Sequence, residues 1–192
     1  MKRIATRLVG SRAVLALAVA AGVLGTVTTS RADSFTANDK QISAVVGFGL
    51  AGIYGDASQP VIGVEYNQAI NPNWSLGGVI GRATSSQSYN YFYGNYSWKY
   101  TYTVIAARGA YHFVQQIKNP KLDGYVGATL GYNDVSASYS GPAGINYSSA
   151  SASYALYGIY GGGTYAMSPK WGWQAELGYG VGYLSAGVYW KL

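Results

Sequence analysis

A chain of 192 residues suggests one domain. Only 10% of it is charged, against the roughly 25% of an ordinary soluble protein, while 27 Gly and 20 Tyr are present. Such a chain is too aromatic for disorder, and its lack of cysteine excludes disulfides, thiolate metal sites and a Cys nucleophile.

Residues 1–12 are short and basic, 13–27 are an apolar run of mostly Ala, Val, Leu and Gly, and 28–31 are small and polar apart from Arg31. Ser30 and Ala32 then supply small residues at the −3 and −1 positions of a cleavage site. This pattern predicts a secretory signal peptide over 1–32 and a mature domain over 33–192. The apolar run is shorter than the ~20 residues of a spanning helix. The formal charge of +6 owes most to Lys2, Arg3, Arg7, Arg12 and Arg31. Without them, eight basic residues face seven acidic ones. No basic patch survives, so nucleic acid is not an expected partner.

After a polar lead-in over 33–40, eight segments have strand character: 42–54, 61–70, 74–83, 100–113, 124–133, 153–167, 171–179 and 183–192. Each is close to the ~9–11 residues that cross a bilayer on a tilted strand. Asn71-Pro72-Asn73, Asn119-Pro120 and Ser168-Pro169-Lys170 mark breaks, since Pro cannot donate to a ladder. The other links, 55–60, 84–99, 134–152 and 180–182, are generally longer, the last being the exception. This alternation predicts an all-β fold, an eight-stranded antiparallel up-and-down transmembrane β-barrel. Its short turns would face the periplasm and its longer loops the outside.

The strand faces agree. Ile62, Val64, Tyr66, Gln68 and Ile70 share one face, opposite Val61, Gly63, Glu65, Asn67 and Ala69. Trp171, Trp173, Ala175, Leu177 and Tyr179 lie opposite Gly172, Gln174, Glu176 and Gly178. Ile105, Ala107, Gly109, Tyr111 and Phe113 lie opposite Val104, Ala106, Arg108, Ala110 and His112. Apolar-out and polar-in, with aromatics at strand ends, is the membrane-barrel pattern. Segments 74–83 and 153–167 do not sort by face. A soluble β-sandwich or lipocalin-like barrel is the structural rival, and it would have to bury these Trp and Leu faces.

Glu65, Arg108 and Glu176 each stand five residues from a strand end on the predicted short-turn rim. They would meet inside at similar depth, with Arg82 or Lys191 joining them. Charges inside a membrane barrel must be paired, so the cluster either fills and rigidifies the lumen or gates a narrow pore. His112 is the only histidine and sits near the rim, where a structural role is expected. No Ser–His–Asp set and no metal cluster assembles at plausible spacing, so no catalytic residue, metal or cofactor is expected. Gly47-x-Gly49 and Gly161-Gly162-Gly163 are strand kinks rather than phosphate loops, because no helix follows.

The links carry an aromatic surface. Segment 84–99 holds Tyr89, Tyr91, Phe92, Tyr93, Tyr96 and Trp98 among Ser, Asn and Gly, with Lys99 its only charge. Segment 134–152 holds Tyr139 and Tyr147 in a similar setting. Tyr–Ser mixtures make adaptable contacts with sugars or proteins. Equally, these segments could extend the strands above the membrane, with Tyr pairing across them. Their lack of charge disfavours polyanions such as heparin.

The last strand puts Leu184, Ala186, Val188, Trp190 and Leu192 on one face. Ser185, Gly187, Trp190 and Leu192 resemble the C-terminal insertion signal of bacterial outer-membrane proteins, which favours Phe where Leu192 stands. Asn71-Pro72-Asn73-Trp74-Ser75-Leu76, Ser168-Pro169-Lys170-Trp171 and the 176–180 and 184–188 segments resemble the turns and last hairpin of the small outer-membrane β-barrels. In order, and behind a leader, the chain resembles that superfamily, typified by OmpX and the OmpA transmembrane domain, over roughly 40–192. The resemblance implies an outer-membrane location, contact with lipid and lipopolysaccharide, and insertion by the barrel-assembly machinery. Lipid A deacylases of similar architecture carry His–x–Ser–x–Asn, but His112 is followed by Phe113, Val114, Gln115 and Gln116. The outer-membrane proteases need a His high in the barrel, and there is no second His. The expectation is therefore a non-enzymatic, structural and surface-exposed protein, with an adhesive role through 84–99 and 134–152. The alternative is a small or gated pore lined by Glu65, Arg108 and Glu176.

Overall fold

The structure, a computed structural model, describes residues 35–49, 60–91, 94–113, 116–141, 149–179 and 181–192. The expected signal peptide and the tip residues Phe92 and Tyr93 lie outside these. The described chain is eight strands: β1 (Lys40–Phe48), β2 (Val61–Asn71), β3 (Trp74–Tyr91), β4 (Gly94–His112), β5 (Leu122–Ser140), β6 (Ala150–Ala166), β7 (Trp171–Tyr179) and β8 (Leu184–Lys191). Each pairs antiparallel with its sequence neighbours, and β8 returns to β1, so the sheet closes into a barrel. Closure gives every strand two neighbours, so none is a sheet edge along its whole length; above the shared height, β3 beyond Arg82 pairs with β4 and β6 before Ile159 with β5.

The short turns form by side-chain capping. Asn71 Oδ1 accepts from the amides of Asn73 and Trp74 at 2.9 Å, and Asn119 Oδ1 from Lys121 at 3.0 Å. Ser168 Oγ accepts from Lys170 and Trp171 at 3.2 Å. Asn and Ser thus stand in for the backbone acceptors that the strand break removes. The seam between β8 and β1 is closed by the same logic of backbone approach. A Cβ on Gly187 would press on the Ala44 carbonyl oxygen and the Val45 side chain, so glycine lets the last strand settle against the first.

The outward face is apolar around the ring. Leu130 is 68% exposed, Ile159 71% and Leu177 66%. A water-soluble barrel or sandwich would bury such side chains, and a lipid-facing one leaves them outside. On β5 the belt runs from Leu122 through Val126, Ala128 and Leu130 to Tyr132 and ends at Asp134. Ten residues at ~3.3 Å, tilted by ~40°, give a height of about 25 Å, that of an outer-membrane apolar band. Trp74, Tyr165, Trp171 and Trp190 ring its short-turn edge, and Tyr132, Tyr157, Tyr179 and Tyr183 its hairpin edge. The polar outlier Gln68 faces out near the rim, where its Oε1 accepts from the Tyr66 hydroxyl at 3.1 Å.

The two segments that the sequence left unsorted now have sides. Ser75, Gly77, Val79, Gly81 and Ala83 face in on β3, and Leu156, Gly158, Tyr160, Gly162, Thr164 and Ala166 face in on β6.

Four strands are longer than expected. Much of 84–99 and 134–152 is not loop but ladder, with Gln87 opposite Trp98, Tyr89 opposite Tyr96 and Trp98 opposite Tyr139. Ser, Thr and Tyr are good strand formers once a partner strand is in register. Conversely, β1 stops at Phe48, and most of its expected continuation to Tyr54 lies outside the described residues. Among the described residues the barrel therefore has a tall wall, β3 to β6, and a low wall, β7, β8, β1 and β2.

Candidate functional site

The interior is layered from the short turns upward. In the middle, β2, β4 and β7 bring Glu65, Arg108 and Glu176 together. Arg108 Nη1 donates to Glu65 Oε1, and Arg108 Nη2 lies 2.8 Å from both Glu176 oxygens. All three are buried. The shell adds further partners: Gln174 Nε2 donates to Glu65 Oε2 and Tyr125 Oη to Glu176 Oε1, each at 2.8 Å, while Arg108 Nε is buried without one. The Tyr160 ring lies 3.9 Å from the guanidinium carbon. An ion pair taken out of water costs several kcal/mol per ion unless its remaining sites are bonded; here the flanking amide, phenol and ring offset part of that cost.

The other two proposed members are elsewhere. Arg82 points outward at the top of the apolar belt, above Ile80, and is exposed. It follows the outward parity of β3, so it cannot reach the lumen. Lys191 faces in, but at the rim, where its Nζ bonds Asp39 Oδ2 at 2.6 Å.

Above the charges lies an apolar layer. Val61, Val79, Ala83, Tyr102, Val104, Ala106 and Leu156 form one buried cluster, with Tyr100, Val135 and Val181 against it. Cavities of about 30 and 20 Å³ flank the Arg108 cluster on its hairpin and short-turn sides. Each is room for about one or two waters. No open channel is visible among the described residues.

Below the charges lies an arrangement that sequence spacing did not reveal. Ser75 Oγ is 2.8 Å from His112 Nε2, and His112 Nδ1 is 2.6 Å from Asp123 Oδ2. The expectation that no Ser–His–Asp set assembles is therefore wrong as geometry. The three come from the rim ends of β3, β4 and β5, all with inward parity, and Ser75 is paired with Ala110, two positions before His112 at the end of β4. Asp123 was missed because the fifth strand was expected to begin at 124, and Ser75 because its segment could not be sorted. All three are buried, and Phe35 stacks on His112 at 3.6 Å with 9° between the rings. Asp39 pins this arm. Its carboxylate accepts from the Thr36 amide at 2.9 Å as well as from Lys191, and its carbonyl oxygen from the Ala69 amide at 2.8 Å.

The aromatic surface also has sides. On the tall wall Gln87, Tyr89, Tyr96, Trp98, Tyr139 and Tyr154 carry the inward parity, while Ser86, Ser88, Ser97, Thr101, Ser136, Ser138, Ser151 and Ser153 carry the outward one. Trp98 and Tyr139 rings lie 5.1 Å apart, and Tyr96 and Tyr139 6.2 Å. Tyr89 donates to Gln87 at 3.2 Å. Tyr91 ends β3, and Phe92 and Tyr93 lie outside the described residues. On β8, Ser185 and Gly187 face in, and Trp190 and Leu192 face the belt side.

No protein-family model matches this chain, and no curated protein matches it in sequence. Solved structures do match. Ail, the attachment invasion locus protein of Yersinia pestis, in complex with the heparin analogue sucrose octasulfate, is similar at TM-score 0.51 and 14% identity, over 81% of this chain and 96% of that one. The N-terminal β-barrel domain of Pseudomonas aeruginosa OprF is similar at TM-score 0.51 and 17% identity, over 82% and 100%. Neisserial surface protein A is similar at TM-score 0.50 and 17% identity, over 80% and 95%. The chain has the fold of the small eight-stranded outer-membrane β-barrels.

Proposed function

We propose that this is an integral outer-membrane protein whose tall wall presents an aromatic, nearly uncharged surface to the outside, for adhesion to uncharged glycans or protein. The observation that carries this reading is the reversal of sidedness along β3 to β6. Within the belt the outward face is apolar; above it the outward face is hydroxyl-rich and the aromatics turn inward. Hydroxyls facing outward at that height suit the sugar layer of lipopolysaccharide. Aromatic rings on the concave side are the residues that dominate contact energies when buried by a partner. Lys99 and Asp134 are the only charges on β3–β6 above the belt edge marked by Arg82, which disfavours a polyanion such as the heparin analogue bound to Ail.

Cells expressing the protein are expected to adhere to immobilised glycans or host cells, and Trp98→Ala with Tyr139→Ala to reduce that adhesion by about 10-fold, one 1.4 kcal/mol step. Adhesion equal to that of non-expressing cells would overturn the reading. Insertion is assigned to the assembly machinery reading Ser185, Gly187, Trp190 and Leu192.

The apolar layer over the Arg108 cluster argues against the pore reading. Planar-bilayer recording of the purified barrel is expected to show no conductance steps. Regular steps that change with Glu65→Gln would restore the gated-pore alternative.

A further inference from the structure

At the end of the barrel away from the hairpin wall, we propose that Ser75, His112 and Asp123 form a latent esterase-type site for small carboxylic esters, capped by Phe35. The argument rests on geometry and roles rather than motif. Asp123 Oδ2 at 2.6 Å holds the proton on His112 Nδ1, which leaves Nε2 to accept from the Ser75 hydroxyl at 2.8 Å. That is the tautomer in which imidazole acts as base towards serine. The chamber beside them is about 20 Å³ and is lined by Phe35, Ser75, His112, Asp123, Tyr125 and Thr164. Thr164 Oγ1 is buried there without a hydrogen-bond partner, and so is Asp123 Oδ1. Buried polar atoms are normally hydrogen-bonded, so two unused ones beside a Ser–His–Asp chain leave capacity for a polar ligand.

Phe35 marks what the site would hold. Its flat ring lies parallel on the imidazole and is buried, yet it belongs to a short arm below β1 and not to the ladder. Swinging the arm about Asp39 would open the chamber towards the short turns and vacate the volume of one aryl or short acyl group. A long acyl chain does not fit, since eight strands leave an interior only side chains wide and the Arg108 cluster forms the floor, so the alcohol part of the ester points out through the opened end.

The step balances with water as the only co-reactant. Ser75 Oγ attacks the ester carbonyl carbon and its proton passes to His112 Nε2. The carbon–oxygen bond to the alcohol breaks, and His112 returns the proton to the leaving alkoxide. Water then attacks the acyl-serine in the same manner, releasing the carboxylic acid and restoring the hydroxyl. Asp123 is the positioning residue, and Thr164 Oγ1 is the donor available to the oxyanion.

The test uses the full chain inserted in detergent or liposomes. The probes are a short-chain alkyl fluorophosphonate, read as a mass adduct on the Ser75 peptide, and p-nitrophenyl acetate. Phe35→Ala is expected to be labelled at least 10-fold faster than the parent. In that background Ser75→Ala should remove the adduct, and His112→Gln should slow it by about 100-fold, the lower end of general-base catalysis. Asp123→Asn should lower kcat for the acetate while leaving KM unchanged. Each variant is first shown to retain the heat-dependent gel shift of a closed barrel. If Phe35→Ala loses it, Phe35→Leu, which removes only the flat ring, takes its place. A folded cap variant with no adduct on Ser75, or one labelled equally after His112→Gln, would overturn the proposal and leave the three residues as interior packing. Adhesion by the hairpin wall is independent of either result.

Discussion

Replacing Arg108 by Met is expected to cost about 3–5 kcal/mol of barrel stability, the penalty for breaking a buried pair from one side. Among the described residues the guanidinium is the one cation touching both Glu65 and Glu176, and its removal strands two carboxylates between cavities that hold a water or two each. Gln174 and Tyr125 each donate one hydrogen bond to these carboxylates, which is too little to hold two negative charges side by side. The variant should unfold at markedly lower denaturant in detergent and lose its heat-dependent gel shift at lower temperature. The triple variant Glu65→Gln, Arg108→Met, Glu176→Gln should recover most of the loss, because it removes the charges together. An Arg108→Met barrel as stable as the parent would show that the cluster is not closed to water as described.

The second large effect is on the outer face. Val126 lies near the middle of the belt on β5, outward and half-exposed, between Leu122 and Leu130. Val126→Arg is expected to destabilise the folded state in liposomes by about 2–4 kcal/mol, the cost of a cation at the bilayer midplane of a barrel. Ser136→Arg, on the same strand and the same face but beyond Asp134, should change stability by less than about 0.5 kcal/mol, as surface substitutions do. Both are read by reversible denaturant unfolding from the same lipid. Equal effects at the two positions would contradict the placement of the belt edge at Tyr132 and with it the membrane-spanning height.

Much of this architecture was legible because a barrel strand has period two and two unlike solvents. Parity alone put Glu65, Arg108 and Glu176 on inward faces, and depth followed from counting back to the Pro-marked turns. Where one face carried no contrast, parity was silent. Residues 74–83 alternate Ser, Gly and Ala against Trp, Leu, Gly and Ile too weakly to be sorted, so Ser75 had no side until β4 lay beside it. Asp123 stood one residue outside the strand that was expected to hold it, at the place where turn and ladder merge. The long hairpins could be read as links or as extended strands for a chemical reason. Ser, Asn and Gly signal loops in isolation, yet residues 84–91 and 94–99 find enough cross-strand Tyr and Trp partners to remain paired. Phe35 could not be anticipated, because nothing local tells a residue before the first strand to turn back into the lumen.

The charged trio also constrains how such a ring can come together. Arg108 sits on β4, Glu65 on β2 and Glu176 on β7, and the seam is joined by Lys191 and Asp39 across 152 positions of chain. A partly zipped sheet of β1 to β6 would hold Arg108 and Glu65 but leave no Glu176 to share the cation. A sheet of β3 to β8 would lack Glu65. Every incomplete arc thus leaves one side of the guanidinium without its carboxylate partner on the face that must leave water, and only the finished circle supplies both. Contacts of such long sequence separation form late, so completing the hydrogen-bonded set around Arg108 acts as a proofreading condition: assembly in lipid should be all-or-none, with truncated or frame-slipped circles held back in water, where an unbonded ionic group is cheap to keep.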